Sequence, residues 1–129
     1  MIYLGEFVVI KISKRNENEL INHLIKAGLK KNTAKTLLYI AEEDEAKSRE
    51  IESHTTLRQP EISVAVRDLR DRNWISKKEI KKEGRGRPQH SYKLKKPLVD
   101  IVNEIQNEEK DKIKEIEDNL KSMKKIVEG

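Results

Sequence analysis

The stretch from residue 51 to residue 94 constrains the fold of this chain most, because patterns for three elements follow one another there without an intervening linker. A short helix pattern over residues 48 to 54 comes first, and Ser48 is its expected amino-terminal cap. A second helix, over residues 59 to 72, has Pro60 in its first turn, where proline is favoured. Its inner face carries four apolar residues at helical spacing: Ile62, Ala65, Val66 and Leu69. This order predicts two helices joined by a short turn.

Strand patterns follow the second helix directly. Residues 74 to 82 and 89 to 95 alternate in character and flank a turn, residues 84 to 88, that contains two glycines and two arginines. This spacing predicts a β-hairpin with a flexible, cationic tip. Asn73 precedes the hairpin at a position that favours a left-handed helix cap, a conformation that Asn tolerates better than most residues. Trp74 is expected to anchor the hairpin in the core.

Three further elements are predicted before this stretch. Residues 2 to 12 place β-branched side chains on one parity, which favours an edge strand. Residues 13 to 28 have an apolar stripe that favours a helix closed by Gly28. Another helix is expected from residue 32 or 33 to the acidic run of residues 42 to 45, whose charge opposes the helix dipole.

The chain ends in a long helix pattern after Pro97. Its apolar residues recur in steps of three and four, as in a coiled-coil seam: Leu98, Val102, Ile105, Ile113, Ile116, Leu120, Met123 and Val127. Residues 106 to 112 interrupt the repeat, so the register requires a four-residue insertion or an exposed turn there. A small core cannot cover a seam of this length. It therefore predicts a homodimer, with Leu20, Leu24 and the first strand as additional contacts.

Composition narrows the class of protein. A chain of 129 residues suits one domain, and with 35% apolar and 40% charged residues its core is modest. The absence of cysteine excludes disulfides, thiolate metal sites and thiol nucleophiles. A run of about 18 apolar residues and a signal-peptide pattern are both missing from the sequence. The expectation is a cytoplasmic protein with no membrane partner.

The basic residues are concentrated in one segment. Residues 58 to 96 carry 13 basic and five acidic side chains, whereas residues 1 to 57 are balanced and residues 97 to 129 sum to −3. A local positive excess is what a phosphate-binding face requires. A solvated Lys/Glu surface of a heat-tolerant protein is the alternative interpretation of the same composition.

The element order resembles the winged helix-turn-helix of MarR-like and related archaeal and bacterial transcription regulators. The resemblance covers about residues 32 to 96, and many relatives have Gly where Thr56 and Asn73 stand. It implies a fold that is mainly α with a small β-hairpin wing, which belongs to the α+β class. In that family the second helix of the motif enters the major groove, and the wing lies along the flanking backbone or minor groove.

Carried over to this sequence, the resemblance divides the chain into three parts. Residues 1–31 are an N-terminal strand and helix, residues 32–96 the winged helix-turn-helix DNA-binding domain, and residues 97–129 a coiled-coil-like dimerisation helix. The expected function is a homodimeric, sequence-specific transcription regulator that binds double-stranded DNA and is nucleoid-associated in the cytoplasm. Its source is expected to be archaeal.

The outer side of the second helix supplies most of the candidate site. Arg and Gln make the bidentate contacts that discriminate guanine and adenine, and glycines let the arginines of the hairpin tip approach a narrow groove. The candidate DNA-binding residues are Ser48, Arg58, Gln59, Ser63, Val64, Arg67, Lys81, Arg85 and Arg87. Glu61 argues against a uniform phosphate footprint. The alternative is a solvated helix face in which Arg67, Arg70 and Arg72 pair with neighbouring aspartates.

Other chemistries find little support in the sequence. His23, His54 and His90 are far apart and lack metal-ligand spacing, and nothing resembles a nucleophile turn or a phosphate loop. No catalytic residue, cofactor or metal is therefore predicted, and whether a small-molecule effector exists stays open. Two alternatives to a specific regulator remain: a winged-helix protein-interaction module of a transcription complex, and an architectural protein that binds DNA without sequence preference.

Overall fold

The computed structural model describes residues 12–80 and 89–129 in full, and residues 2–4 and 7–9 through their backbone. The chain divides into two units, Met1–Leu98 and Val99–Gly129. The helices and strands, in chain order, are β1 Ile2–Leu4, β2 Phe7–Val9, α1 Lys14–Lys26, α2 Lys31–Glu42, β3 Ala46–Lys47, α3 Ser48–Thr55, α4 Gln59–Asp71, β4 Ile75–Ile80, β5 Gln89–Leu94 and α5 Leu98–Glu128.

Helices α1 and α2 form close to where the sequence predicts them. Ser13 caps α1, because its Oγ accepts a hydrogen bond from Asn16 N at 3.3 Å. Gly28 follows α1 with a φ of +107°, a backbone conformation that favours glycine. Helix α2 begins one or two residues earlier than expected and ends inside the acidic run. Both helices of the prediction are confirmed.

The core of the first unit is built on α2 and α4, which pack against each other. Leu37 and Ile40 of α2 are fully buried. The four predicted stripe residues of α4 are also buried: Ile62, Ala65, Val66 and Leu69. Trp74 is 1% exposed, which confirms its expected place in the core. Because the stripe occupies one side of α4, the opposite side of this helix is left for solvent.

Two non-glycine residues in left-handed conformation connect these elements. Thr56 has a φ of 60° between α3 and α4, and Asn73 has a φ of 63° between α4 and β4. Leu57 is buried directly after Thr56. The left-handed position of Asn73 is likewise confirmed. Together α3, the turn, α4 and the β4–β5 hairpin form a winged helix, and the chain has the predicted α+β fold.

The sheet of the wing has a third strand that the sequence did not predict. Strand β3 pairs antiparallel with β5, so the strand order is β3-β5-β4. A strand of two residues is too short to show an alternation of apolar and polar side chains, so the sequence does not reveal β3. Ala46 in β3 is fully buried, and Ser91 Oγ of β5 donates a hydrogen bond to Glu45 Oε1. The wing is thus tied to the segment just before α3.

The single edge strand predicted for residues 2 to 12 is wrong. The structure has two three-residue strands, β1 and β2, which pair antiparallel with Ile2 opposite Val9. Apolar residues occupy alternate positions both before and after Gly5 and Glu6, so the sequence reads as one strand. The spacing of two residues between β1 and β2 is common in hairpins.

The second unit is the helix α5, which continues through residues 106 to 112 without a break. Near the start of α5, Ile101 is buried although the predicted seam does not include it. Val102, which the predicted seam does include, is 38% exposed. The later seam residues are 56 to 86% exposed: Ile113, Ile116, Leu120, Met123 and Val127. An apolar stripe of this kind is typical of a surface that associates with another helix.

Replacing Thr56 by Gly should stabilise the protein. A β-branched residue at positive φ is strained, and glycine removes the strain at the cost of greater backbone entropy in the unfolded chain. The free energy of unfolding is expected to rise by about 0.5 to 1 kcal/mol in chemical denaturation.

The neighbouring threonine provides the matched control. Thr55 is helical, and its Oγ1 donates to Ile51 O and accepts from Leu57 N. Thr55→Gly should therefore lower the free energy of unfolding by about 1 kcal/mol or more. Equal losses in both variants would contradict strain at Thr56.

Candidate nucleic-acid interface

The turn between α3 and α4 is held by hydrogen bonds at both ends. Leu57 N donates to Thr55 Oγ1 at 3.3 Å, and Gln59 Nε2 donates to Glu52 Oε2 at 2.9 Å. These bonds fix the direction in which α4 leaves the turn. The Gln59 amide nitrogen has a second N–H, so a bidentate contact with an adenine edge, which uses one N–H and the amide oxygen, is compatible with this bond.

Glu61 fixes the start of α4. Its Oε1 accepts a hydrogen bond from Arg58 N at 3.1 Å, which caps the helix, and its Oε2 accepts one from Asn32 Nδ2 at 3.2 Å. Both carboxylate oxygens thus have a donor within the protein. An acidic residue beside a basic face is therefore explained by helix capping. Sequence reasoning missed Asn32, because a partner 29 residues away leaves no local pattern.

The structure brings five of the nine predicted site residues together at the start and outer face of α4. Their positions place them on neighbouring turns of one helix. All five are exposed: Arg58, Gln59, Ser63, Val64 and Arg67. Val64 is 51% exposed, although it lies between the buried Ile62 and Ala65 along the chain. This face carries donors, a hydroxyl and a methyl-bearing side chain, which are the groups that base edges require.

Arg67 of α4 and Arg72, which directly follows this helix, differ in their partners. Arg72 Nε lies 3.4 Å from Asp68 Oδ1, and the Arg72 guanidinium lies 4.9 Å from the centre of the Trp74 ring. Within the described part of the chain, no hydrogen bond or ion pair engages Arg67. The helix face is therefore not a closed network of ion pairs among the described residues.

Ser48 has a different local role from the predicted one. Lys47 occupies the cap position, and its backbone N donates to Glu50 Oε1 at 3.0 Å, whereas Ser48 is the first residue of α3. The Ser48 hydroxyl donates to His90 O of β5 at 3.1 Å. The predicted cap is thus wrong, because a tertiary hydrogen bond uses the hydroxyl. A phosphate contact by Ser48 stays a prediction and requires the hydroxyl to release His90.

The described strands of the wing carry exposed lysines. Lys93 lies opposite Ser76, and Lys78 lies opposite Ser91, so alternation along β4 places both lysines on one face of the hairpin. Burial raises the pKa of Tyr92 on the other face, against the opposing effects of the Ser48 hydrogen bond and the Arg70 charge. The predicted wing tip, residues 84 to 88, lies outside the described residues, and so do the site residues Lys81, Arg85 and Arg87.

A groove of about 440 Å³ adjoins the outer face of α4. It separates this face from the start of α2, where Lys30 and Lys31 are exposed. The residues that line it are Lys30, Lys31, Asn32, Thr33, Pro60, Glu61, Val64 and Ala65. The groove places two lysines beside Val64, and sequence reasoning did not connect them with α4.

Among the described residues, no group of three or more His, Asp or Glu side chains is arranged to hold a metal ion. None of its helices is both long and apolar enough to span a membrane.

Comparison with known proteins finds a structural likeness. No protein-family model matches the chain, and no curated protein matches it. The chain is similar to the crystal structure of Pex from Synechococcus sp. (strain PCC 7942) (Anacystis nidulans R2), with 25% sequence identity and a TM-score of 0.44. The likeness covers 68% of this chain and 89% of Pex. Function is therefore inferred from the side chains of this protein.

The different partners of Arg72 and Arg67 predict different effects on stability. Arg72→Ala removes an i,i+4 ion pair and a cation–π contact, both partly exposed, and should lower the free energy of unfolding by about 1 kcal/mol. Arg67→Ala should change it by less than about 0.5 kcal/mol. Denaturant unfolding of both variants at one ionic strength measures this. A loss at Arg67 as large as at Arg72 would reveal a partner for Arg67 within the fold.

Proposed function

We propose that this protein is a homodimeric, sequence-specific regulator of transcription that binds double-stranded DNA through a winged helix-turn-helix of MarR-like type. The observation that carries the proposal is the exposed Arg67 guanidinium, which has no ion pair among the described residues, beside the exposed Val64 on α4. An exposed guanidinium beside an exposed valine offers hydrogen-bond donors and methyl groups on one helix face, and guanine and thymine edges present the complementary groups.

In this proposal α4 enters the major groove with its outer face toward the bases. Arg67 donates two hydrogen bonds to a guanine edge, and Val64 contacts the methyl group of a thymine. Ser63 and Arg58, close to the start of the helix, donate to phosphate oxygens. Gln59 contacts an adenine edge with its second N–H and its Oε1. In this proposal α4 thus supplies both affinity and base preference.

The wing adds contacts outside the major groove. Arg85 and Arg87 at its tip are proposed to reach the minor groove or the flanking backbone, where arginine is attracted by the negative potential. Lys81, Lys78 and Lys93 supply phosphate attraction that does not depend on sequence. The positive excess of residues 58 to 96 supports this assignment.

Dimerisation is proposed to use the exposed seam of α5. Its apolar side chains recur in steps of three and four, so paired helices from two copies can bury them. A twofold dimer presents two groove helices about 34 Å apart and therefore requires a pseudo-palindromic site. Residues 97–129 then act as the dimerisation part, residues 32–96 as the DNA-binding domain, and the protein is nucleoid-associated in the cytoplasm.

Selection of bound sequences from random duplex DNA tests the function directly. A specific regulator should enrich one pseudo-palindromic sequence, and its affinity should fall steeply with salt because phosphate contacts release counterions. A flat selection profile would instead identify an architectural DNA-binding protein. No DNA binding at low salt would leave the protein-interaction module as the function.

Arg67→Ala should reduce both affinity and base preference. On the selected sequence the expected loss is about 1 to 3 kcal/mol, since a bidentate contact to guanine is removed. On random duplexes the loss should be much smaller. Titrations of both duplexes by mobility shift or fluorescence anisotropy, at one salt concentration, measure the difference.

Arg15→Ala is the matched control for this variant. Arg15 lies on α1, where it pairs with Glu19 at 3.6 Å, and its loss changes the net charge by the same amount. Its effect should be small and equal on both duplexes. Lys81→Ala should weaken binding to both sequences alike. If Arg67→Ala also weakened both duplexes equally, Arg67 would have no role in reading bases.

Leu120→Lys should dissociate the dimer. Leu120 is 57% exposed in the single chain, and its burial in a helix pair contributes about 1.5 to 3 kcal/mol for each copy. The dimer dissociation constant should rise by roughly 100-fold or more, because each 1.4 kcal/mol is a factor of ten. Sedimentation over a concentration series measures it.

Ser122→Lys introduces the same charge two residues along α5 but off the apolar seam, so it serves as the control. This variant should keep the dissociation constant of the unmodified chain. Equal weakening in both variants would show that charge repulsion, rather than loss of the seam, controls association. A chain that is monomeric at all concentrations would refute the dimer itself.

A further inference from the structure

A second pocket, of about 520 Å³, lies among α1, α2 and the end of α3. Its volume is within the range of sites that bind small molecules, about 300 to 1,000 Å³. None of the candidate DNA-binding residues lines it. We call it the α1–α3 pocket, and its chemistry differs from that of the DNA-binding face.

Negative charge predominates in the α1–α3 pocket. Three carboxylates, those of Glu17, Glu42 and Glu43, line it together with one ammonium group, that of Lys35. This is notable in a chain with a net charge of +5. Burial, followed by the charges of Glu50 and Glu43, raises the pKa of the Tyr39 phenol to about 12. The carboxylates therefore disfavour a further negative charge beside the Tyr39 ring.

One wall of the pocket is aromatic. The rings of Tyr39 and His54 are stacked, with centroids 4.7 Å apart and planes inclined by 24°. His54 Nδ1 lies 3.0 Å from Glu50 O, and since a carbonyl oxygen only accepts, Nδ1 carries the hydrogen. This bond fixes the orientation of the His54 ring. A stacked ring pair beside carboxylates offers both a flat apolar surface and attraction for positive charge.

We propose that the α1–α3 pocket binds a small organic cation that carries an aromatic ring. The carboxylates of Glu17 and Glu43 attract the positive group, and the Tyr39–His54 wall packs against the ring of the ligand. Neutral aromatic ligands lose the charge attraction, and aromatic acids are repelled by the carboxylates. The ligand class therefore follows from a negative, partly aromatic cavity in a basic protein.

The position of the pocket gives the ligand a route to the DNA-binding face. Thr55 and Thr56 also line it, and Thr56 is the left-handed joint between α3 and α4. A ligand in contact with this joint favours those orientations of α4 that keep the pocket intact. The ligand then acts as an effector, and this part of the inference rests on the proposed function.

Titration of three probes followed by NMR of the backbone amides tests the site without DNA. Benzylammonium, benzyl alcohol and benzoate share one ring and differ in charge. Benzylammonium should bind most tightly, shift the signals of residues that line the pocket, and exceed benzyl alcohol by about fivefold in affinity. Benzoate should bind weakest of the three.

Glu17→Gln is the decisive variant, and Glu19→Gln is its matched control. Both lie on α1 and lose one carboxylate, but Glu17 lines the pocket whereas Glu19 does not. Glu17→Gln should weaken benzylammonium binding by about fivefold, and Glu19→Gln should leave it within twofold. Equal affinities for the three probes, or equal effects of the two variants, would overturn the site.

A second arm tests the effector role. The affinity for the selected duplex is measured with and without benzylammonium, at constant ionic strength, for the unmodified chain and for Glu17→Gln. A change that disappears in Glu17→Gln supports the effector role, and no change in either protein overturns it. Failure of the proposed function would appear as no DNA binding before any probe is added, which leaves the NMR result unaffected.

Discussion

The burial of one side of α4 determines what its other side can contact. Ile62, Ala65, Val66 and Leu69 face the core, and each large apolar side chain contributes about 1.5 to 3 kcal/mol when it is fully buried. A rotation of α4 by one residue, about 100°, would expose part of this stripe and move polar side chains of the outer face toward the core. The apolar stripe, rather than the basic residues, therefore fixes which side chains an external partner meets.

Polar side chains define the direction of α4, because apolar packing alone allows sliding and tilting. Glu61 joins the start of α4 to Asn32 of α2, and Gln59 joins it to Glu52 of α3. At the other end of α4, Lys95 Nζ donates to Asn73 Oδ1 at 2.7 Å. This bond connects the left-handed residue after α4 to the residue after β5. Hydrogen bonds thus hold α4 against α2 and α3 and connect the turn after α4 to the residue after β5.

Local periodicity explains most of what the sequence predicted correctly. The stripe of α4, the left-handed Asn73 and the buried Trp74 each depend on residues within a few positions of one another. The wrong or missing predictions have other causes. Strand β3 has two residues, which is too short to show alternation. The Ser48 hydroxyl donates to the carbonyl oxygen of His90, 42 residues away, so no local pattern reveals this bond. For the site, helical spacing sufficed to group the residues of α4. Lys81, Arg85 and Arg87 stay predictions, and the link from Asn32 to Glu61 required the fold.

The lack of an ion pair for Arg67 among the described residues also has a physical explanation in the sequence. Arg67 and Asp71 have the same i,i+4 spacing as Asp68 and Arg72, yet only the second pair forms an ion pair among the described residues. An acidic residue on the amino-terminal side of its basic partner has the more favourable order in a helix, and the order is reversed for Arg67. Arg72 is further held by the Trp74 ring at 4.9 Å. The residue order therefore stabilises the end of α4 through Arg72 and explains why Arg67 forms no ion pair among the described residues.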